Sequence, residues 1–374
     1  MTAAPFSLSI RLRAALRRAG DRVRRHALAA LFVLLGAAAL WWPTWLELLG
    51  FLPADPLWRA YHVDGDVGAL AWSPDGSKLA VSTTFQLAVG VLNLESGKML
   101  WKMREHVSGL HSIAFTPDGK YVVTPTAPDR QATGAALDIR DAETGRLARE
   151  VPGIHPHEDY GSNVGRTFAF SPDGKLLVVT SDPEPGKPAA VYSTETWQEL
   201  RRLSYDNSIF GDVAIGGNGG VAFDGAGGEI IIFYLASGAL ERVIKAYDLE
   251  ILTHIAYSPD GRLLVSGAFP PNERRREPDP LRIWRVADGA KTRSLVLNSP
   301  WGIDAIAWSP DGQDIAWASE DGAIYLWRLR SSDQPTKLIE LSSPSLAIAF
   351  GPDGRHLAIG GRRQVLVQKL DTKG

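Results

Sequence analysis

A chain of 374 residues, 45% hydrophobic and 22% charged, is long enough to bury a large core without covalent staples. It has no cysteine, which excludes disulfides, thiolate metal sites and a cysteine nucleophile. The formal charge of −2 hides a division, because the first 26 residues carry about +6 and the remainder about −8.

Residues 1–26 read as a basic cytoplasmic leader, with Arg11, Arg13, Arg17, Arg18, Arg22, Arg24 and Arg25 against Asp21. Leu8, Leu12, Ala15, Ala19 and Val23 fall on one helical face, suited to lying on anionic headgroups. From Ala27 to Trp45 there is no charged residue, and apolar character continues to Leu52 apart from Thr44 and Glu47. This predicts one transmembrane signal-anchor helix over 27–51, long enough for a bilayer core of about 30 Å. Trp41, Trp42 and Trp45 mark its far boundary, and the arginines keep the N-terminus in the cytoplasm. The rest of the chain is then expected on the periplasmic or extracytoplasmic side. A signal peptide cleaved at Ala37-Ala38-Ala39 is the alternative; the long leader and the apolar run past that point favour an uncleaved anchor. A short linker, 52–56, follows.

The remainder, 57–374, is repetitive. Seven times an alanine and a large apolar residue precede a tight turn: Ala71-Trp72, Ala114-Phe115, Ala169-Phe170, Ala214-Ile215, Ala256-Tyr257, Ala307-Trp308 and Ala349-Phe350. In six copies the turn reads Ser/Thr/Gly-Pro-Asp-Gly; in the fourth it is Gly216-Gly217-Asn218-Gly219. Proline presets the first turn dihedral, aspartate bonds locally and glycine relieves the last position, so the tetrapeptide is a structural hairpin turn. The copies recur every 42 to 55 residues, roughly the length of one four-stranded sheet. In the sixth copy the strands are expected over Ile303 to Trp308, Asp314 to Ala318 and Ala323 to Leu329. Leu70, Ile113, Phe168, Val213, Ile255, Ile306 and Ile348 share a strand face with the large residues, and the alanines share the other. Large against small lets neighbouring sheets interlock around an axis.

From Leu57 to Leu370 the chain resembles the WD-repeat family of β-propellers, the sixth copy most closely, through Ser309-Pro310-Asp311-Gly312, Ser319-Glu320-Asp321-Gly322 and Trp327-Arg328-Leu329. TolB-like propellers share the Ser-Pro-Asp-Gly turn. The family's Gly-His pair is reduced to Glu105-His106 and its closing Trp-Asp to Arg140-Asp141 or Trp284-Arg285, departures that put the internal Asp-His-Ser-Trp hydrogen-bond network of the family in doubt here. The expected fold is therefore all-β, a seven-bladed β-propeller preceded by one transmembrane α-helix. The last copy stops at its third strand, Gln364 to Leu370, and a stray strand, Leu57 to His62, placed beside it as its outer strand would close the ring and remove an open edge.

Chemistry is sparse. No Gly-x-Ser-x-Gly elbow, phosphate-loop motif or His-Glu-x-x-His occurs, so no catalytic residue and no cofactor is assigned. The glycines of 216–228 are in phase with the other copies and read as a worn turn and strand start. His155, His157, Glu158 and Asp159 group ligand types without a third histidine and read as a polar loop, not a metal site. Asp212 and His254 are the polar residues at inner-strand positions filled elsewhere by Ala69, Ser112, Thr167, Ala305 and Ala347. They make either a partial site or a satisfied hydrogen bond.

The added lengths, Pro125 to Gly134, Val151 to Gly165, Asp182 to Pro188 and Phe269 to Pro280, all fall on one face, opposite the Pro-Asp-Gly turns, if strands run from the axis outward. Arg130, His155, His157, Asp159, Lys187, Arg274, Arg275 and Arg276 decorate it as a candidate binding face; neutral insertions of solvated residues are the other reading. The short tether to the stray strand would turn this face away from the bilayer. The expected function is a membrane-tethered interaction or scaffold module with protein partners in a membrane or envelope complex and a bilayer contact through the helix. The alternative is an exported enzyme of quinoprotein or lactonase kind, which convergence of three or more acids and histidines at the axis would favour. Nucleic acid is not expected: the folded part is acidic, and Arg274 to Arg276 is flanked by Glu273, Glu277 and Asp279.

Overall fold

The computed structural model describes residues 58–84, 88–104, 112–126, 135–152, 168–180, 189–206, 210–225, 227–248, 251–269, 279–296 and 302–371. The leader, the expected span 27–51 and the linker lie outside the described residues; among the described ones no helix is long and apolar enough to cross a membrane.

The described residues form seven four-stranded antiparallel sheets. We number them blades 1 to 7 by their inner strands: Asp66–Trp72, Ala114–Phe115, Phe168–Phe170, Phe210–Ile215, Ile251–Tyr257, Ile303–Trp308 and Ile348–Phe350. In blades 1 to 6 the strands pair in chain order from the axis outward. The sixth blade follows the expected boundaries to within a residue, with Asp314–Ser319 and Ala323–Arg328 as its second and third strands. Blade 7 takes its outer strand from the beginning of the chain. Trp58–His62 pairs antiparallel with Gln364–Lys369, from Trp58 opposite Gln368 to His62 opposite Gln364.

Each interface between blades contains one hydrophobic cluster, built as the large-against-small pattern requires. Ala69 and Ala71 of blade 1 meet Ile113 and Phe115 of blade 2. Ala305, Ala307, Ala316 and Ala318 of blade 6 meet Ile348 and Phe350 of blade 7. Ala347 and Ala358 of blade 7 meet Leu70 and Trp72 of blade 1, which closes the ring. The tryptophans in this motif add a polar tie that phenylalanine lacks. Trp308 Nε1 donates to Ala256 O of the preceding blade at 3.0 Å, and Trp72 Nε1 donates to Ala349 O, also at 3.0 Å, across the closure.

The Pro-Asp-Gly turns also touch one another. In blade 1, Ser73 Oγ donates to Asp75 Oδ1 at 2.6 Å, and this bond, with that from the Ser77 amide, holds the Asp75 carboxyl down at about 2. The turn glycine then faces the proline of the preceding blade. A Cβ at Gly174, where φ is +71°, would lie 2.6 Å from Pro117 Cγ, whereas at Gly219 of the worn fourth turn, φ +81°, it would meet nothing within 4 Å. Gly174→Ala is expected to cost more than about 1 kcal/mol, with Gly219→Ala costing less because only backbone strain remains. Urea unfolding of the two variants measures the difference; equal losses would show that the turns do not pack.

Part of the internal network is present in blade 5. There Trp284 Nε1 donates to Ser266 Oγ at 2.8 Å, and the Tyr247 hydroxyl, arriving from the segment after blade 4, lies 2.9 Å from the same Oγ and donates to Pro280 O at 2.9 Å. A tyrosine from the segment connecting blades 4 and 5 takes part where the sequence offered no histidine. In blade 2 a buried pair, Arg140 with Asp138 at 2.7 Å, occupies the corresponding layer.

Candidate functional site

The eight residues of the candidate face, Arg130, His155, His157, Asp159, Lys187 and Arg274 to Arg276, lie outside the described residues. The roots of their segments are described. Pro125 and Ala135 of blade 2, Thr180 and Ala189 of blade 3, and Phe269 of blade 5 with Asp279 end second strands or lead into third ones; Pro152 and Phe168 end an outer strand and begin the next inner one. Alternating strand direction puts all these ends on the face opposite the Pro-Asp-Gly turns.

The root at 279 is firmly built. Asp279 Oδ1 accepts from Arg282 Nη2 at 2.7 Å, and its Oδ2 accepts from Lys291 Nζ at 3.0 Å. Arg282 also donates to Ala246 O, and its guanidinium stands 4.3 Å over the Tyr247 ring. Burial raises the Asp279 carboxyl, but the bonds from Arg282 and Lys291 outweigh it and bring it down to about 2. Its contribution to stability is thus present above the ordinary value and lost as pH falls towards 2.

At the axis the inner strands surround a cavity of about 480 Å³, lined largely by alanines and by Phe168, Phe170, Tyr257, Trp308 and Phe350. Two acids and one histidine line it, Asp212, His254 and Asp304, from blades 4, 5 and 6. They sit near the starts of their strands, on the insertion side. Asp212 is engaged by backbone: Val213 N donates to its Oδ1 and Ile255 N of the next blade to its Oδ2, both at 2.9 Å. His254 Nδ1 lies 3.7 Å from Asp212 Oδ2. Behind them Asp224 accepts from the amides of Gly211 and Asp212 at 2.6 Å, and burial, reinforced by the Asp212 charge, pushes its carboxyl well above the usual range.

Asp304 escaped the sequence reading. Strict alternation puts it on the face of Ile306 and Trp308; the strand has a register shift between Ile303 and Ala305, and Asp304, the extra residue, is among those lining the cavity. Its only sequence signal is a charge within the apolar run Ile303-Asp304-Ala305-Ile306. Asp304 is 5% exposed, and its Oδ2 has no hydrogen-bond partner. Burial pushes it up to about 7; His254 opposes the rise and Glu320 and Asp321 add to it. The folded state therefore holds this proton more tightly than the unfolded chain. That advantage is complete below the ordinary 3.8 and is lost as pH rises through about 7. Asp304→Asn is expected to raise unfolding free energy near pH 8 by on the order of a few kcal/mol and to change little near pH 4. Urea unfolding at both pH values checks this, and equal gains at the two would contradict it.

Convergence of three acids and histidines at the axis is therefore present, although one of the three is held by amides. Among the described residues no group of three His, Asp or Glu is placed to hold a metal ion.

Seven interlocked sheets, with an axial cavity and a first strand completing the last blade, define a seven-bladed β-propeller. The family profile of the WD domain, G-beta repeat, matches residues 292–328. That match starts in the outer strand of blade 5 and ends with the third strand of blade 6, the same offset by which Trp58–His62 completes blade 7. One repeat unit of this propeller, from the outer strand of blade 5 through the third strand of blade 6, is thus similar to the WD repeat. The chain is similar to THO complex subunit 3 of Arabidopsis thaliana, 31% identical over 112 residues, covering 29% of this chain and 33% of that protein. It is similar to WD repeat-containing protein 1-B of Xenopus laevis, 29% identical over 124 residues, covering 33% of this chain and 19% of the relative. A longer alignment, 21% identical over 333 residues, joins it to the denticleless protein homolog of Gallus gallus, with 75% of this chain and 43% of that protein covered. The chain thus spans a third or less of the length of the first two relatives.

Proposed function

We propose that this propeller is a protein-interaction or scaffold module whose working surface is the face bearing the four long insertions, and that residues 27–51 tether it to a membrane. The observation that carries the first part is that all four departures from the repeat are rooted on one face of a propeller, one repeat of which is similar to the WD repeat. Added length on one side of a rigid ring is where such arrays place recognition. Relatives whose names denote a subunit of a complex or a WD-repeat protein support the reading. Arg130, His155, His157, Asp159, Lys187 and Arg274 to Arg276 are proposed as its contact residues. The tether rests on the uncharged run from Ala27 to Trp45 behind an arginine-rich leader, which orients the propeller outside the cytoplasm.

Affinity purification of full-length protein from detergent-solubilised membranes, compared with a variant lacking 270–278, tests the face. The deletion should stop short of Asp279, whose bonds to Arg282 and Lys291 hold the blade root. An unchanged set of co-purifying proteins would remove that segment from the surface. Placement is tested by Asp118→Cys, the sole thiol in a cysteine-free chain. A membrane-impermeant maleimide should label it in intact envelopes, and labelling only after lysis would overturn the outward placement.

The enzyme reading is kept alive by one observation, the meeting of Asp212, His254 and Asp304 at the cavity. It requires Asp304→Asn to abolish a turnover that the wild type shows; none of the hydrogen bonds engaging Asp212 would be disturbed by that change.

A further inference from the structure

Blade 4 differs from the other blades on its turn side. Its two turns there, Gly216 to Gly220 and Leu235 to Ala239, contain no charged residue. Blades 1, 2, 3, 5 and 6 each have an aspartate in the first of these turns and at least one charged residue in the second, and blade 7 has Asp353 and Asp371. The same edge is apolar. Of the six exposed large apolar side chains among the described residues, Leu200, Tyr234 and Leu240, each 45 to 50% exposed, belong to the outer edge of blades 3 and 4. Tyr234 and Leu240 flank the second turn, which Tyr234 N closes by donating to Ala239 O at 2.9 Å. Leu200 adjoins Arg201, which donates to Ala236 O of that turn, and the nearby Glu199 is occupied by Arg202 at 2.8 Å. Tyr234 is left uncovered because its register partner is Gly220, and a Cβ at Gly219 would meet nothing within 4 Å.

Position in the ring gives this patch its meaning. In a ring of seven blades, the edge opposite blade 7 falls between blades 3 and 4. The outer strand of blade 7 begins at Trp58, also on the turn side. The apolar run 27–51 ends six residues earlier, and six extended residues reach at most about 20 Å. Tether and patch therefore lie across the ring from each other on the same side.

We propose that the uncharged turn side of blade 4, with Leu200, Tyr234 and Leu240, enters the headgroup region of the bilayer as a second membrane contact, across the ring from the tether. This rests on the tether reading and deepens it, because two supports on opposite edges set the turn side toward lipid and the long insertions away from it. An uncharged edge enters a medium of lower dielectric without the desolvation cost that Asp75 or Asp173 would impose at other blades. The aspartate-bearing turns stay in the hydrated headgroup layer. A tyrosine offers the boundary both an apolar ring and a hydroxyl, and the leucines add apolar area. Three such side chains would hold a free protein weakly, but a tethered one is already at high effective concentration, so a weak contact suffices.

The test uses full-length protein in phosphatidylcholine nanodiscs, with single cysteines introduced into the cysteine-free chain. Tyr234→Cys and Leu240→Cys carry a fluorescent reporter on the patch. Val296→Cys, at a position 64% exposed just beyond the insertion-side end of the outer strand of blade 5, is the control. Lipids bearing a nitroxide at the top of the acyl chain should quench the reporters at 234 and 240 about threefold or more relative to that at 296, and added salt should leave the ratio unchanged, because no charge takes part. Leu200→Glu in the Tyr234→Cys chain should bring the quenching down toward the control while the melting temperature holds. Equal quenching at the three positions, or none at 234 and 240 in protein that co-elutes with the discs, would overturn the contact and leave the tether standing. Protein that does not co-elute with the discs would overturn the tether and the contact with it. Blue-shifted emission at 234 without quenching, growing with the number of chains per disc, would assign the patch to a second copy and overturn the lipid contact.

Discussion

A chain beginning at Val63, and so lacking Trp58–His62, is expected to lose roughly 5 kcal/mol or more relative to one beginning at Leu57, a large part of the stability of a typical domain. The strand supplies the outer ladder of blade 7 and buries Tyr61, whose hydroxyl donates to Leu94 O of blade 1 at 3.1 Å. Without it Gln364–Lys369 becomes an exposed edge with unpaired backbone groups, a template for association. Urea unfolding and sedimentation of the two chains measure both effects. Stabilities within about 1 kcal/mol of each other, with both chains monomeric, would show that closure comes from the blade interfaces alone.

Asp279→Ala is expected to cost about 3–5 kcal/mol, because it strands the buried Arg282 guanidinium without its carboxylate. The companion change Arg282→Met in the same chain is expected to restore most of the loss, since removing both charges of a buried pair is often close to neutral. Equilibrium unfolding of the single and double variants closes the cycle. If the single change cost under about 1 kcal/mol, the pair would not anchor the 270–278 insertion, and the deletion experiment would need no care at Asp279. The pair also explains why a basic insertion can leave blade 5 without distorting it. The chain re-enters at a residue tied to Arg282, Lys291 and, through Arg282, to Ala246 and Tyr247.

Much of this was legible residue by residue. The alanine and large-residue pairs located all seven inner strands, because period-two alternation is a local property and each blade interface repeats the same demand. Ala256 against Ile306 and Trp308 is the pattern's plain outcome. The absence of an outer strand after Gln364–Lys369 pointed to Trp58–His62, because an unpaired edge has few stable alternatives. Asp212 and His254 were singled out as polar residues at positions otherwise small. Asp212 then proved to be a tie between blades 4 and 5 through Ile255 N, and His254 its neighbour.

What remained hidden depends on partners far along the chain or on breaks in regularity. Whether Trp72 is merely large or also hydrogen-bonded depends on Ala349, 277 residues away. Tyr247 gives no sign in sequence that it will serve Ser266 and Pro280 of the next blade. The sequence by itself determined the number of blades, the interlocking faces, the closure and the side on which the insertions are rooted, since all follow from periodicity, turn chemistry and strand direction. Only the tertiary structure decided that Asp304 is buried beside the axial cavity with its Oδ2 lacking a donor: one extra residue interrupts the ladder there, and no group from the neighbouring blades reaches that oxygen.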